Sequence, residues 1–211
     1  FNKFNFRVNK CYLNVEIYYI WTYIAENSYK NYLKTMAVKI NYTTKQNDDQ
    51  SGNTVLFVDE KFDLRALKKS FSNNEFTYIN DLLKTSDLKK NIFVFEVNSK
   101  KKIILISIKK NLKTSDIENL GAEFYGRVNY GKNSSYLLYS DSIVGKDEIF
   151  LSHFLHGLKL KSYEFKKYKT KKETRVISIN VKGNKNKPST QKQLKFKALE
   201  EGTFYARDLV S

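Results

Sequence analysis

Ile103-Ile104-Leu105-Ile106-Ser107-Ile108, followed six residues later by Ser115-Asp116-Ile117-Glu118-Asn119-Leu120, is the passage that decides the fold. The first piece is a short run of β-branched and apolar residues, which reads as a strand. The second has the form of a capping box, in which a Ser hydroxyl and a Glu carboxylate three residues on satisfy free amide donors. Ile117, Leu120, Phe124 and Val128 then recur at spacings of three and four, one apolar stripe of a helix. A strand leading straight into a helix is the unit from which α/β folds are built.

The same alternation extends in both directions. Upstream, Ile92 to Val97 reads as a strand, and the polar link Asn98-Ser99-Lys100-Lys101 predicts a hairpin with Ile103 to Ile108. Residues 75–85 carry Phe76, Ile79, Leu82 and Leu83 at helical spacing, Thr54 to Val58 reads as a buried strand, and Val38 to Tyr42 alternates weakly as a first strand. Downstream come a strand at Ser135 to Tyr139 and a helix at Asp147 to Tyr163. Phe150, Phe154 and Leu158 share one face of that helix, and Asp147 and Glu148 stand at its positive end. A strand at Arg175 to Val181, a Gly/Asn/Lys loop closed by Pro188, and a helix from Ser189 to Val210 complete the chain. The expected class is therefore α/β, a mostly parallel sheet flanked by helices.

The last helix carries two apolar stripes, Leu194, Ala198, Gly202, Tyr205 and Leu209 on one and Phe196, Leu199, Thr203, Ala206 and Val210 on the other. One buried face suffices for a helix that closes a domain. The second stripe predicts a further layer beyond this chain.

Composition adds a charge of +16 over 211 residues, with 41% hydrophobic residues, the balance of a packed globular chain. Such a charge suits a nucleic-acid or membrane-surface partner. Codon bias in an AT-rich genome would give the same excess of Lys, Asn, Ile, Tyr and Phe, so both readings stand. Cys11 is the single cysteine, which rules out an internal disulfide and a cysteine-based metal cluster and fits a cytoplasmic location.

Residues 1–35 precede the only methionine, Met36, and are crowded with aromatic residues and Asn. Their apolar stretch from Tyr12 to Ala25 includes Asn14 and Glu16 and falls short of the ~20 residues that span a bilayer, so no membrane anchor is expected. Lys3, Arg7 and Lys10 ahead of it would suit a secretory signal, but no initiator Met precedes them. The expectation is that translation starts at Met36 and that 1–35 is a non-native extension.

Candidate chemistry is sparse. His153 and His156, the only histidines, lie three apart on a predicted helix and could touch one ion, but Glu148 and Glu164 are not spaced to join them. No Gly-x-Ser-x-Gly elbow is present. Gly183-Asn184-Lys185 precedes a helix without the glycines of a phosphate loop, although Lys182, Lys185 and Lys187 could hold an anion there. The tract from Tyr163 to Lys172 interleaves rings with cations. Lys166, Lys167, Lys169, Lys171 and Lys172 are the candidate nucleic-acid contacts, since lysines neutralise phosphates and rings stack on bases.

Two stretches are more specific. One is His156-Gly157-Leu158-Lys159-Leu160-Lys161-Ser162-Tyr163-Glu164-Phe165-Lys166-Lys167-Tyr168-Lys169-Thr170-Lys171-Lys172, and the other is Ala198-Leu199-Glu200-Glu201-Gly202-Thr203-Phe204-Tyr205-Ala206-Arg207-Asp208-Leu209-Val210. In order and spacing they resemble the N-terminal domain of the leucyl aminopeptidase (cytosol aminopeptidase) family, and Leu120-Gly121-Ala122 matches more weakly. The resemblance covers about Met36 to Ser211. It implies a macro-domain-like α/β domain at 36–185 and a linker helix at 186–211 leading toward a catalytic domain.

The resemblance further implies that the complete protein would be a peptide-cleaving hexamer carrying two divalent metals, zinc or manganese. The metal ligands of that family lie in its C-terminal domain, so no catalytic, cofactor-binding or metal-binding residue transfers to this chain. Two alternatives remain: a basic nucleic-acid-binding module acting through the 161–172 tract, and a macro-like binder of ADP-ribose, against which the missing glycine-rich loop argues.

Overall fold

Residues that are apolar on both sides of a strand need cover on both faces of a sheet, and those that alternate need it on one. The computed structural model, which describes residues 38–43, 52–129, 135–146, 148–165, 176–183 and 187–210, distributes its strands by this rule. The strands are β1 (Val38–Thr43), β2 (Asn53–Asp59), β3 (Ile92–Glu96), β4 (Lys102–Ile108), β5 (Ser135–Tyr139) and β6 (Ile177–Lys182). They form one sheet in the order β1-β6-β5-β2-β4-β3. Every pairing is parallel except β3 with β4, the expected hairpin at one edge.

The apolar strands β2 and β4 lie side by side within the sheet. Val55, Phe57, Ile104 and Ile106 point into one core, with helices α2 (Thr114–Val128) and α3 (Glu148–Lys161) above them. Leu56, Val58, Ile103 and Leu105 point into a second core under α1 (Asn73–Thr85). The alternating strands β1, β6 and β5 send Val38, Ile177, Ile179, Val181, Tyr136 and Leu138 only into the first core. Their other face carries a polar ladder, in which Asn41 Nδ2 donates to Asn180 Oδ1 at 3.0 Å and Asn180 Nδ2 to Ser135 Oγ at 3.2 Å, while Tyr139 at the end of β5 packs against the second core. The last helix, α4 (Thr190–Val210), packs along α3.

Helix starts follow local chemistry, with one correction. The capping box expected at Ser115 and Glu118 does not form. The helix is capped two residues earlier, at Lys113, whose backbone N–H donates to the Asp116 carboxylate at 3.0 Å, and Glu118 instead makes a tertiary contact with His153. A full capping box sits instead at Ser72 and Glu75 on α1. Glu75 also pairs with Lys101 at 2.7 Å, tying the tip of the β3–β4 hairpin to α1. The side chains of Asp147 and Glu148, expected at the positive end of α3, lie outside the described residues.

Helices α2 and α3 cross through two glycines. A side chain on Gly121 would run into the Phe154 carbonyl, and one on Gly157 into the Glu118 carbonyl, so each helix places its glycine against the other's backbone. Phe124 and Phe154 then meet beneath the crossing with ring centroids 5.6 Å apart. Gly126 on α2 has nothing within 4 Å of where a Cβ would stand. Gly157→Ala should therefore cost about 1–3 kcal/mol in urea unfolding through overpacking. Gly126→Ala should instead gain about 0.5–1 kcal/mol from the lower chain entropy of Ala in a helix. Equal effects of the two substitutions would contradict the crossing.

Candidate functional site: the seam of the last two helices

The two stretches that carry the family resemblance meet along α3 and α4. Phe196 of α4 lies against both histidines, its ring centroid 4.9 Å from that of His153 and 5.0 Å from that of His156. Each histidine holds a different carboxylate. His153 Nδ1 is 2.7 Å from Glu118 Oε1 on α2, and His156 Nδ1 is 3.2 Å from Glu200 Oε1 on α4. Lys159, one turn along α3, donates to Glu200 Oε2 at 2.7 Å. Glu200 is only 2% exposed, so both its oxygens are engaged where water hardly reaches.

Further along, Arg207 Nη1 donates to the Leu160 carbonyl at 3.0 Å and its guanidinium lies 5.4 Å from the centre of the Tyr163 ring. The Tyr163 hydroxyl donates to Asp208 Oδ1 at 2.6 Å, and its ring packs on Phe204 at 5.3 Å. The seam thus couples His156, Lys159, Leu160 and Tyr163 to Glu200, Phe204, Arg207 and Asp208. These contacts hold one helix on the other.

Beside the seam, β1 contributes Ile40 and Tyr42 to a small half-open cavity of about 150 Å³ that Ser152, His156, Phe196 and Glu200 also line. Burial, reinforced by the Glu200 carboxylate, pushes the Tyr42 phenol up to about 12. The folded state therefore keeps that proton through a range in which the unfolded chain, near 10, releases it. The resulting stabilisation is complete below pH 10 and is lost as pH rises from about 10 to about 12. Urea unfolding at pH 9 and pH 11.5 should show an alkaline loss that is smaller in Tyr42→Phe.

In open α/β sheets, ligands usually enter where the strand order reverses, here between β2 and β5. Those strands pair only over Asn53–Val55 and Tyr136–Leu138. Beyond that pairing the chain ties the two strands together by a turn. A 3₁₀ turn at Ser140–Ser142 brings Ser142 Oγ to the Phe57 N–H at 2.9 Å. Gly183, at φ +140°, passes so close that a side chain would strike the Ser140 hydroxyl and the Asp141 carboxylate.

The other sequence-derived candidates are dispersed. His153 and His156 do not converge on a common ion position, and among the described residues no three His, Cys, Asp or Glu side chains could hold a metal together. Lys182 lies 5.5 Å from the centre of the Tyr139 ring and Lys187 5.8 Å from that of Tyr42, each over a different ring, and Lys185 lies outside the described residues. Lys166, Lys167, Lys169, Lys171 and Lys172 also lie outside the described residues. Among the described residues no helix is long and apolar enough to cross a membrane.

The stripes of α4 need correction. Its buried side is neither expected stripe but the line Phe196, Glu200, Phe204 and Arg207, a mixture of rings and charges. The stripe of Leu194, Ala198, Gly202, Tyr205 and Leu209 is exposed throughout, and Val210 of the other stripe is 87% exposed. Sequence reasoning missed Glu200 as a seam residue because a glutamate does not count toward an apolar pattern. The signal was present in the i, i+4 spacing of Phe196, Glu200 and Phe204.

Comparison with known proteins gives a likeness in fold. A mutant of tomato leucine aminopeptidase superposes with a TM-score of 0.60 at 14% identity, covering 82% of this chain and 38% of that one. The bottromycin maturation enzyme BotP, solved in complex with Mn, superposes with a TM-score of 0.52 at 11% identity, covering 76% of this chain and 32% of that one. The macrodomain of Thermus aquaticus DarG matches over 70% of this chain and 99% of that one, at 12% identity and a TM-score of 0.48. No family model and no curated protein matches the chain. The class defined is thus an α/β domain with a mostly parallel six-stranded sheet flanked by helices, and its fold is similar to part of a leucine aminopeptidase. The chain spans about two fifths or less of the first of these solved chains and of BotP.

Proposed function

We propose that residues 38–210 form the non-catalytic N-terminal domain of an aminopeptidase of the leucyl aminopeptidase type, with α4 as the tether to a catalytic domain. The observation that carries this reading is the seam. Two stretches that resemble one family, separated by residues 173–197 in sequence, meet through His156–Glu200, Lys159–Glu200, Leu160–Arg207 and Tyr163–Asp208. The likeness of the fold to part of a leucine aminopeptidase supports it. So does the exposed apolar stripe of α4, which would lie against the adjoining domain.

In the complete protein the substrate would be a peptide with a free N-terminus, and the assembly would be a homo-hexamer. Two divalent metals, zinc or manganese, would supply Lewis-acid and water-activating chemistry when bound, held by residues of the other domain. The part proposed for this chain is mechanical: its seam fixes the direction in which α4 leaves the sheet.

The purified chain should not turn over a leucine chromogenic substrate with manganese or zinc, and release of the amine would overturn the non-catalytic assignment. The coding DNA beyond Ser211 provides the second test. A lysine and acidic ligand stretch in the next ~150 residues, about one domain, is the expected finding. Its absence from an uninterrupted reading frame would remove the aminopeptidase reading.

The charge of +16 favours one addition, that the tract at 161–172 binds nucleic acid as well. Single-stranded DNA should bind with a salt-dependent affinity. Changing Lys166, Lys167, Lys169, Lys171 and Lys172 to Glu should flatten that dependence, and an unchanged salt slope would exclude the tract.

A further inference from the structure

Helices held by apolar side chains alone can settle in neighbouring registers, because several of them bury similar areas. The exposure to this problem is large for α4. Of its 21 residues only Glu200 and Phe204 are buried, so apolar burial distinguishes poorly between one crossing and the next. Phe196 adds a half-buried ring between two imidazoles, a contact that tolerates small shifts.

Arg207 and Asp208 make their polar contacts at half-buried and exposed positions, whereas Glu200 makes its own while buried. Its carboxylate is 2% exposed and reaches His156 Nδ1 at 3.2 Å and Lys159 Nζ at 2.7 Å, two groups one turn apart on α3. Sliding α4 by a single turn would separate the carboxylate from both and strand charges where water is scarce. A buried ion pair of this sort adds little net stability, since desolvation offsets much of its attraction, but it penalises wrong arrangements heavily.

We propose that Glu200, clasped by His156 and Lys159, is a registry pin. It selects one position of α4 along α3, and with it the direction in which the exposed residues Leu194, Tyr205 and Leu209 face. It is a positioning residue, and the inference stands whatever adjoins that face.

The test separates register from stability. In the full chain with Cys11→Ser, spin labels are placed at Val144→Cys and Leu209→Cys, which are 77% and 69% exposed and lie outside the seam. Pulsed electron paramagnetic resonance reads the distance between them, and thermal unfolding reads stability. The parent protein should give a single narrow distance. The apolar triple variant His156→Phe, Lys159→Met, Glu200→Met should melt at the same temperature or higher. Its distance distribution should be split or roughly twofold broader, because apolar isosteres replace the pair without its specificity. A triple variant with a distribution as narrow as the parent's would overturn the proposal. So would a clearly lower melting temperature, which would make the cluster a stabiliser instead.

Discussion

The close crossing of α2 and α3 is the constraint on which the remainder of the structure depends. Gly121 and Gly157 let two backbones come into contact over the first core, and only then can Phe124 and Phe154 meet each other and the strands below. With α3 seated so deeply, its far side is left to present His153, His156, Lys159 and the Leu160 carbonyl as one row. The last helix is built onto that row. A bulkier residue at either glycine would push α3 outward and displace every partner that α4 uses.

The sheet shows the same economy. Two strands, β2 and β4, are apolar on both faces and take cover from both sides, while β1, β6 and β5 alternate and keep a polar ladder of Asn41, Asn180 and Ser135 on one side. The core is therefore thick in one half and single-layered in the other. Helix α4 attaches over the single-layered half, next to β1, where Ile40 and Tyr42 still look for cover. Its attachment relies on rings and ion pairs, because little apolar surface of α3 is left over for it.

The described residues thus combine a packed apolar interior with a polar seam between the last two helices. Beyond the short pairing of β2 with β5, the Ser140–Ser142 turn bonds to the Phe57 N–H and ties the two strands together.

The sequence by itself determined the elements. The six strands and four long helices fall where apolar runs and three-to-four spacing put them, because those patterns follow from the geometry of one strand or one turn. The class of sheet and the hairpin were legible for the same reason, whereas the side of α4 that stays exposed was not. What only the tertiary structure decided is which charged residue faces which. Glu118 serves His153 and not its own helix cap, and Glu200 is the buried member of α4 while Leu199 beside it is half exposed. A carboxylate can satisfy an amide, a lysine, an imidazole or water at similar cost, so its partner is set by what the fold brings within 3 Å, and no local pattern records that.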